Sequence, residues 1–448
     1  MAPMRDSDTI FAFSTAPGRA GIAVLRLSGP AAGETLAALA GRQPLARHAT
    51  LATFHDPRSK TAIDRGLALY FPAPHSLTGE DMAEIHVHGG RAVSAALIDS
   101  LGAIAGLRPA EPGEFTRRAF LNGKLDLTEA EGIADLIAAE TEAQRRQAMR
   151  QLAGEAGRTY EAWRGRLLHI QARVEAEIDF PEEGLPPDLR REIEGEVAAL
   201  AAEMETALAD ERRGERLRDG VAIAIIGPPN AGKSSLMNAL ARREIAITAA
   251  SAGTTRDVIE LALDLEGYPV ILADTAGLRA PADPIEAEGI ARARARAAAS
   301  DLKLLVIDAS RAGDTMAIRE IIDENTIIAA NKIDLLGVAG ANWADELGAG
   351  PALRISVRTG DGLAALEARL LLEVAKRLGG GAALITRARH RAALEECRAA
   401  LARFPDADLP ELAAEELRGA VRALGRITGR VDIEDLLDVL FREFCIGK

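Results

Sequence analysis

The spacing of apolar residues changes several times along the chain, and these changes divide it into segments of different type. In residues 1–120, short apolar runs typical of strands alternate with stretches of helical period. Strands are predicted at residues 22–27, 62–71 and 82–87, and helices at residues 31–40 and 93–104. The alternation predicts an α+β domain at residues 1–120.

Residues 121–216 have a helical pattern instead. Apolar positions recur at helical spacing from Leu127 to Ile137, and two long charged stretches follow. A segment rich in Pro, Gly and acidic residues separates them at residues 179–187 and predicts a loop. Helical spacing returns from Thr386, after three consecutive glycines. Because neither helical part can bury its apolar stripe alone, residues 121–216 and 378–448 are predicted to form one helical domain.

Residues 217–377 lie between these two helical parts and alternate buried strands with helices. The apolar, β-branched runs at residues 221–226, 270–273 and 326–330 are typical of parallel strands. The two ends of an α/β domain usually lie close together, so such a domain can be inserted into another one. We therefore expect a multidomain α/β and α+β protein, with an α/β domain at residues 217–377 inserted into a helical domain.

The first strand of the inserted domain leads into Gly227-Pro228-Pro229-Asn230-Ala231-Gly232-Lys233-Ser234, which fits the pattern G-x-x-x-x-G-K-[ST]. Glycines allow the backbone N–H groups to converge on phosphate oxygens, and the following helix adds its positive N-terminus. Lys233 can reach the β- and γ-phosphates, and Ser234 can ligate Mg²⁺. A chance glycine turn would not have both a buried strand and a helix start beside it, so the pattern indicates a P-loop.

Three further motifs follow in the order found in GTP-binding domains. Asp274-Thr275-Ala276-Gly277 ends a strand, where the Asp can hold Mg²⁺ through water and the Gly N–H can contact the γ-phosphate. Asn331-Lys332-Ile333-Asp334 follows another strand, and its Asp334 can accept hydrogen bonds from guanine N1–H and the 2-amino group, which adenine lacks. Ser356-Val357-Arg358 resembles the last base-contacting loop of G proteins. Together, the four motifs predict a Ras-like P-loop GTPase domain.

A small-residue loop lies between the first two motifs and completes the predicted site. Within it, Thr255 is the expected second Mg²⁺ ligand. The predicted GTP-contacting residues are Asn230, Ala231, Gly232, Lys233, Ser234, Ser235, Ala249, Ala250, Ser251, Ala252, Gly253, Thr254, Thr255, Asp274, Thr275, Ala276, Gly277, Asn331, Lys332, Asp334, Ser356, Val357 and Arg358.

The site departs from Ras-like proteins at the position of the water-orienting Gln. Leu278 stands there and cannot orient water, and no arginine finger can be assigned within the chain. Some other device must therefore stabilise the charge of the transition state. The side-chain oxygen of Asn230 can hold a monovalent cation. The backbone carbonyls of Ala249 and Ser251, together with Thr254, can complete its cage.

Composition narrows the functional classes further. The chain has 448 residues, of which 48% are hydrophobic, enough to form real cores, which argues against extensive disorder. Its net charge of −13 argues against broad electrostatic binding of nucleic acid, and any RNA contact must use a local basic patch. With no secretory signal and only two cysteines, Cys397 and Cys445, a reducing cytoplasm is expected. No apolar run is long enough to span a membrane.

The N-terminal domain offers one candidate cluster. Glu84, His86 and His88 lie on one face of a predicted strand, because side chains two residues apart share a face. Two His and one Glu can bind zinc, but a polar strand face or ligand pocket is the preferred interpretation, because no other Cys or His cluster can close the site.

The chain resembles the MnmE (TrmE) family of tRNA-modifying GTPases over nearly its whole length. The residues that carry the resemblance lie at 112–124, 227–234, 252–257, 274–279 and 445–448. The last of these segments, Cys445-Ile446-Gly447-Lys448, is the most specific when it occurs together with this N-terminal domain.

The resemblance implies the remaining assignments. Residues 1–120 would form a folate-binding-like domain that dimerises the chain, with Arg26, Glu84, Lys124 and Lys448 contacting a 5-formyltetrahydrofolate-type folate. The cation would be K⁺, bound where an arginine finger would lie and held by Asn230, Thr254 and the carbonyls of Ala249 and Ser251 as the GTP domains pair. Catalysis would use Glu286 to orient water, alongside Lys233.

The resemblance also implies a reaction and a partner. With the FAD-dependent protein MnmG, in a heterotetramer or larger complex, the homodimer would place an aminomethyl-type group on C5 of the wobble uridine of certain tRNAs. The alternative function is a regulatory GTPase switch in ribosome assembly, which would require an RNA-binding module that the sequence does not show.

Two questions remain open from the sequence. Ala249 and Ser251 replace residues that are often larger or more polar in the family, which would weaken K⁺ binding if side chains took part. Cys445 can be a buried hydrophobe or a reactive thiolate beside Lys448.

Overall fold

The computed structural model describes residues 8–179, 189–243, 260–274, 297–311, 322–336, 351–379 and 383–431, together with residues 437, 440, 441, 444 and 447. The chain forms two compact units. One comprises residues 1–134, 151–169 and 421–448, and the other comprises residues 135–150 and 170–420.

The first unit contains a six-stranded, mainly antiparallel sheet. Its elements are β1 (Thr9–Phe13), β2 (Ala20–Ser28), α1 (Ala32–Ala40), β3 (Thr50–His55), β4 (Ala62–Phe71), β5 (Met82–Gly89), α2 (Arg91–Gly102), β6 (Leu107–Pro109) and α3 (Glu114–Leu121). The strand order is β3-β4-β5-β2-β1-β6, and only β1 and β6 pair in parallel. Leu36, Leu39, Leu97 and Leu101 of the helices pack on the sheet with Leu25 and Ile85.

The strands and helices predicted for this region are confirmed, and three strands are added. The prediction at residues 62–71 coincides with β4, and the predicted helices match α1 and α2 to within two residues. Strands β1, β3 and β6 were not predicted. They complete the α+β sheet, and β3 and β6 form its two edges.

The second unit contains a six-stranded sheet of the P-loop type. Its elements are β7 (Val221–Ile226), α9 (Lys233–Ala241), β8 (Glu260–Leu265), β9 (Tyr268–Asp274), β10 (Leu302–Asp308), β11 (Thr326–Asn331), β12 (Leu353–Arg354) and α10 (Leu363–Leu378). The order is β12-β11-β10-β7-β9-β8, and all neighbours are parallel except β8 and β9. The carboxyl ends of β7, β9, β10 and β11 therefore meet at one edge, where ligands bind in sheets of this class.

The helical elements come from both sides of this sheet in the sequence. They are α4 (Leu127–Ala138), α5 (Glu142–Leu152), α6 (Glu155–Asp179), α7 (Leu189–Leu208), α8 (Arg213–Asp219), α11 (Ala388–Arg403) and α12 (Pro410–Thr428). Helix α7 buries Ile193, Val197 and Leu200 at helical spacing and packs against α11. Arg391 of α11 also pairs with Asp210 at 2.6 Å. Chain segments from both sides of the sheet in the sequence thus pack together through α7 and α11.

Candidate functional site

The loop between β7 and α9 has the backbone geometry of a phosphate cradle. Gly232 caps α9 at φ 102°, a left-handed conformation that glycine adopts without strain. A Cβ at this position would clash with the side-chain amide nitrogen of Asn331. Asn230 has φ 60°, also left-handed, so the loop turns sharply just before the helix begins. The N-terminus of α9 consequently faces the loop and can bind anionic oxygens.

Lys233 lies inside this loop. Its Nζ donates hydrogen bonds to the carbonyl oxygens of Gly227, at 2.9 Å, and Pro228, at 3.0 Å. Burial lowers the pKa of the Lys233 ammonium, and the charge of Asp274 acts in the opposite direction. The side chain is therefore folded into the cradle, where its charge meets incoming phosphate.

Ser234 and Asp274 form the metal side of the site. The Ser234 hydroxyl donates to Asp274 Oδ2 at 3.0 Å, across the neighbouring carboxyl ends of β7 and β9. Asp274 Oδ1 is buried and has no hydrogen-bond partner within the described part of the chain. A hydroxyl and a carboxylate with a spare oxygen are hard oxygen donors of the kind that Mg²⁺ prefers. Ser234 and Asp274 therefore fit a site that would hold a magnesium ion, which would neutralise charge on the phosphates.

Asn331 connects the base side of the site to the phosphate side. Its amide is buried; Nδ2 donates to the carbonyl of Ala231 at 2.8 Å, and Oδ1 accepts from the N–H of Val357 at 3.1 Å. Lys332 follows at φ 68°, and its Nζ pairs with Asp308 Oδ2 at 2.7 Å. Asn331 thus sets the distance between the P-loop and the loop that contains Ser356, Val357 and Arg358.

The carboxylate of Asp334 is the hydrogen-bond acceptor that the sequence predicts for guanine. Its Oδ1 accepts a 2.6 Å hydrogen bond from Ser356, and its Oδ2 pairs with Arg358 Nη2 at 2.9 Å. The hydrogen bond from Ser356 is the main reason why the pKa of Asp334 is lowered, and the Arg358 charge adds to it against the effect of burial. The carboxylate is therefore ionised at neutral pH and can only accept, as base recognition requires.

The structure brings together the described members of the predicted nucleotide site. They come from the first loop, the end of β9 and the two base-side motifs. Others lie outside the described residues: Ala249, Ala250, Ser251, Ala252, Gly253, Thr254, Thr255, Thr275, Ala276, Gly277, Leu278 and Glu286. Asp308 was not identified from the sequence, although an Asp at the carboxyl end of a parallel strand could have suggested it.

In the first unit, Arg26 and Glu84 are direct partners on neighbouring strands. They are register partners in β2 and β5, and Arg26 Nε lies 2.9 Å from Glu84 Oε1. His86 Nε2 lies 3.2 Å from the other oxygen of Glu84. Lys124 follows α3, and its backbone N–H donates to the carbonyl of Ala119.

The zinc interpretation of this strand face is not supported. No group of three or more His, Cys, Asp or Glu side chains within the described ranges could hold a metal ion. His88 lies 3.0 Å from Asp64 of β4, and Glu84 is occupied by Arg26. The face of β5 that carries Glu84, His86 and His88 is therefore a polar surface whose side chains form ion pairs with neighbouring residues.

The C-terminal tail reaches the same sheet. The Ser14 hydroxyl donates to the Gly447 carbonyl at 2.8 Å, and Phe441 and Phe444 are buried against Leu127 and Leu437. Gly447 has φ 93°, and a Cβ there would clash with the carbonyl of Phe13. Cys445 and Lys448 lie outside the described residues. The contact with Ser14 was missed from the sequence, because nothing in a single sequence pairs residues this far apart.

A P-loop between β7 and α9, the Ser234–Asp274 hydrogen bond, and the buried Asn331 with Asp334 three residues later define a P-loop GTPase. A family model described as the MnmE helical domain matches residues 127–445, and one described as the GTP-binding protein TrmE N-terminus matches residues 9–124. The chain belongs to the MnmE family of tRNA modification GTPases and is a GTP-hydrolysing enzyme.

Curated relatives match over almost the full length. The protein named tRNA modification GTPase MnmE of Parvibaculum lavamentivorans is 56% identical over 98% of this chain and 100% of its own. The protein of the same name from Rhodospirillum rubrum is 54% identical over 98% of this chain and 99% of its own. The one from Paramagnetospirillum magneticum is 55% identical over 99% of this chain and 100% of its own. None of the described helices is both long and apolar enough to cross a membrane.

Proposed function

We propose that this chain is a K⁺-dependent GTPase that modifies C5 of the wobble uridine of certain tRNAs, with MnmG and a folate one-carbon unit. The observation that carries the nucleotide part is the buried Asn331 side chain, which joins Ala231 of the P-loop to Val357 beside Asp334. Because this link fixes the spacing between the phosphate-binding loop and the base-binding residues, one guanine nucleotide can span both.

Within this proposal, the phosphates meet Lys233 and the N-terminus of α9, and Mg²⁺ is held by Ser234 and Thr255. K⁺ is held by Asn230, Thr254 and the carbonyls of Ala249 and Ser251. Its charge stands in for an arginine finger, which cannot be assigned within the chain. Leu278 cannot orient water. Glu286 takes over the orientation of the attacking water. The position of Asn230 supports the cation site, since it lies at a left-handed turn of the phosphate loop three residues before Lys233.

The folate site is proposed at Arg26, Glu84, Lys124 and Lys448. The Arg26–Glu84 pair supports it, because a folate carries both carboxylates and ring N–H groups that such a pair can bind. Gly447 rests on Phe13, the last residue of β1, and on Ser14, which follows it. Strand β1 lies next to β2, whose Arg26 faces Ala12 of β1. This position supports a role for the last residues at the folate, with Cys445 either as a reactive thiolate or as a packed hydrophobe.

A homodimer through residues 1–120 is part of the proposal. Leu51 of β3 and Leu67 of β4 are register partners and are 57% and 39% exposed, an apolar pair on the sheet face next to His86. Covering such a pair would favour dimerisation. The proposed domains are residues 1–120, 121–216, 217–377 and 378–448, and the proposed place of action is the cytoplasm, where tRNA and MnmG would meet the enzyme.

Steady-state GTP hydrolysis by the full chain in K⁺ and in Na⁺, at equal ionic strength, tests the proposal. If K⁺ replaces an arginine finger, hydrolysis in K⁺ should be faster by about 10³-fold, the scale of such a finger. Lys233→Ala is the control and should remove hydrolysis in both salts. Equal rates in the two salts would refute the K⁺ proposal. A ribosome-assembly switch has no specific observation in its favour.

A further inference from the structure

The Asp334 carboxylate, which is proposed to bind guanine, is paired with the guanidinium of Arg358. Arg358 Nη2 lies 2.9 Å from Asp334 Oδ2; the Arg358 side chain is 74% exposed, whereas that of Asp334 is 10% exposed. Both residues belong to the base-side motifs, and they are 24 positions apart in the sequence. The pair therefore occupies the place where guanine donors are expected.

The second partner of the Asp334 carboxylate is Ser356, which, unlike the exposed Arg358, is held in place by its surroundings. Ser356 is fully buried, its N–H donates to the carbonyl of Asp361 at 2.9 Å, and its hydroxyl accepts from the N–H of Thr359 at 3.2 Å. Ser356 therefore keeps its bond to Oδ1 when a ligand arrives. Guanine donates two hydrogen bonds to such a carboxylate, so the exposed guanidinium on Oδ2 is the partner that must give way.

We propose that Arg358 competes with the base for Asp334, so that nucleotide binding exchanges the guanidinium for the guanine donors. This inference rests on the proposed role of Asp334 as the guanine-reading residue. The expected size is small, roughly 2- to 5-fold in affinity, because exposed ion pairs are weak in water. The contact restrains nucleotide binding without blocking it.

Two variants separate this competition from other roles of the side chain. Arg358→Met keeps most of the apolar stem, which could pack on the base, and removes the charge. Arg358→Ala removes both. If Arg358 competes, both variants bind guanine nucleotide more tightly; if its stem supports the base, Arg358→Ala binds more weakly than Arg358→Met.

Loss of any positive charge also weakens the attraction for polyphosphates, so a matched control is needed. Arg369→Ala in α10 serves this purpose, since Arg369 is exposed and pairs with Glu373 at 3.0 Å, as Arg358 pairs with Asp334. Asp334→Asn tests the underlying assignment and should sharply weaken GDP binding.

The experiment measures binding of a fluorescent GDP analogue to the full chain by titration and stopped flow, at low and high salt. We expect Arg358→Met to bind about 2- to 5-fold more tightly than Arg369→Ala, through faster association, with a smaller gain at high salt because screening already weakens the pair. Equal or weaker binding by Arg358→Met, with Asp334→Asn impaired, would overturn this inference alone. Unchanged binding by Asp334→Asn would overturn it together with the proposed base recognition.

Discussion

The Ser14 hydroxyl donates a 2.8 Å hydrogen bond to the carbonyl of Gly447, which lies 433 positions later in the chain. Ser14 directly follows β1, and its own N–H donates to Val24 of β2, two positions before Arg26. The end of the chain is therefore held on the strand pair that carries the proposed folate-binding arginine. This contact holds Gly447 in place, whereas an unattached chain end is ordinarily frayed.

Replacing Gly447 should separate the tail's function from GTP hydrolysis. Gly447→Ala places a Cβ against the Phe13 carbonyl at φ 93°, which disfavours the docked tail. We expect K⁺-stimulated GTP hydrolysis close to that of the wild type but loss of wobble-uridine modification, as for deletion of residues 445–448. GTPase rates and nucleoside mass analysis check this prediction.

Gly419→Ala is the matched control for that substitution. Gly419 lies in α12, and a Cβ there would meet no heavy atom within 4 Å. It should leave both activities unchanged. Wild-type modification by Gly447→Ala and by the truncated chain would show that the tail is dispensable.

The cation site can be tested at Asn230 without disturbing the loop. Because Asn230 has φ 60°, Asn230→Gly preserves the backbone conformation and removes only the side-chain oxygen. We expect the K⁺ stimulation to fall by about 10²-fold or more toward the Na⁺ rate. GDP affinity should change little. A variant that retains full K⁺ stimulation would remove Asn230 from the cation site.

Glu286 is predicted to act only in the transition state. Glu286→Ala should lower turnover strongly and leave the affinity for a non-hydrolysable GTP analogue nearly unchanged, because a water-orienting group contributes little to ground-state binding. Single-turnover hydrolysis and equilibrium binding are the two measurements. Full turnover would mean that another residue replaces the glutamine missing at Leu278.

A buried ion network should make the first unit sensitive to acid. Glu114 is buried and bridges Arg108, at 2.5 Å, and Arg118, at 3.1 Å. Burial raises the pKa of Glu114, but the hydrogen bonds from Arg108 and the Glu111 N–H and the charges of both arginines outweigh it, so the pKa lies below 4.5. A carboxyl whose pKa is lowered on folding stabilises the fold at neutral pH and loses that contribution as the pH falls through its folded pKa.

Glu114→Gln should therefore destabilise the chain by roughly 3 kcal/mol near neutral pH, the cost of removing one member of a buried pair. The difference from wild type should shrink as the pH falls below about 4.5. Urea unfolding over this pH range measures it. Glu142→Gln is the control, since Glu142 also bridges two arginines but is 45% exposed, and it should have little effect. Equal effects of the two substitutions would contradict the role given to burial.

The local parts of this architecture were predictable, and the long-range contacts were not. Strand β4 follows from the spacing of its apolar residues, and the loop from β7 to α9 follows from the spacing of its glycines. Both are local properties of the sequence. Strand β6 has three residues, too few for a period to be recognised. Arg118 pairs with Glu80 at a separation of 38 positions, and Lys332 pairs with Asp308 across two strands. Such pairs depend on the topology, which brings distant segments together.

The same limit applies to the base side of the site. The Asn331 and Asp334 motif indicates guanine recognition by its residue types alone. That Arg358 lies on Asp334 depends on β11 and β12 being neighbours with a fixed register. The sequence placed Arg358 in the base-contacting loop, and the pairing assigns it a specific partner there.

The most direct test of the account is mass analysis of total tRNA nucleosides from a strain that lacks this chain. The account predicts that C5-aminomethyl-type wobble uridines disappear, that the wild-type chain restores them, and that Lys233→Ala does not, because hydrolysis drives the modification. Unchanged wobble uridines in the deletion strain, or full restoration by Lys233→Ala, would contradict it.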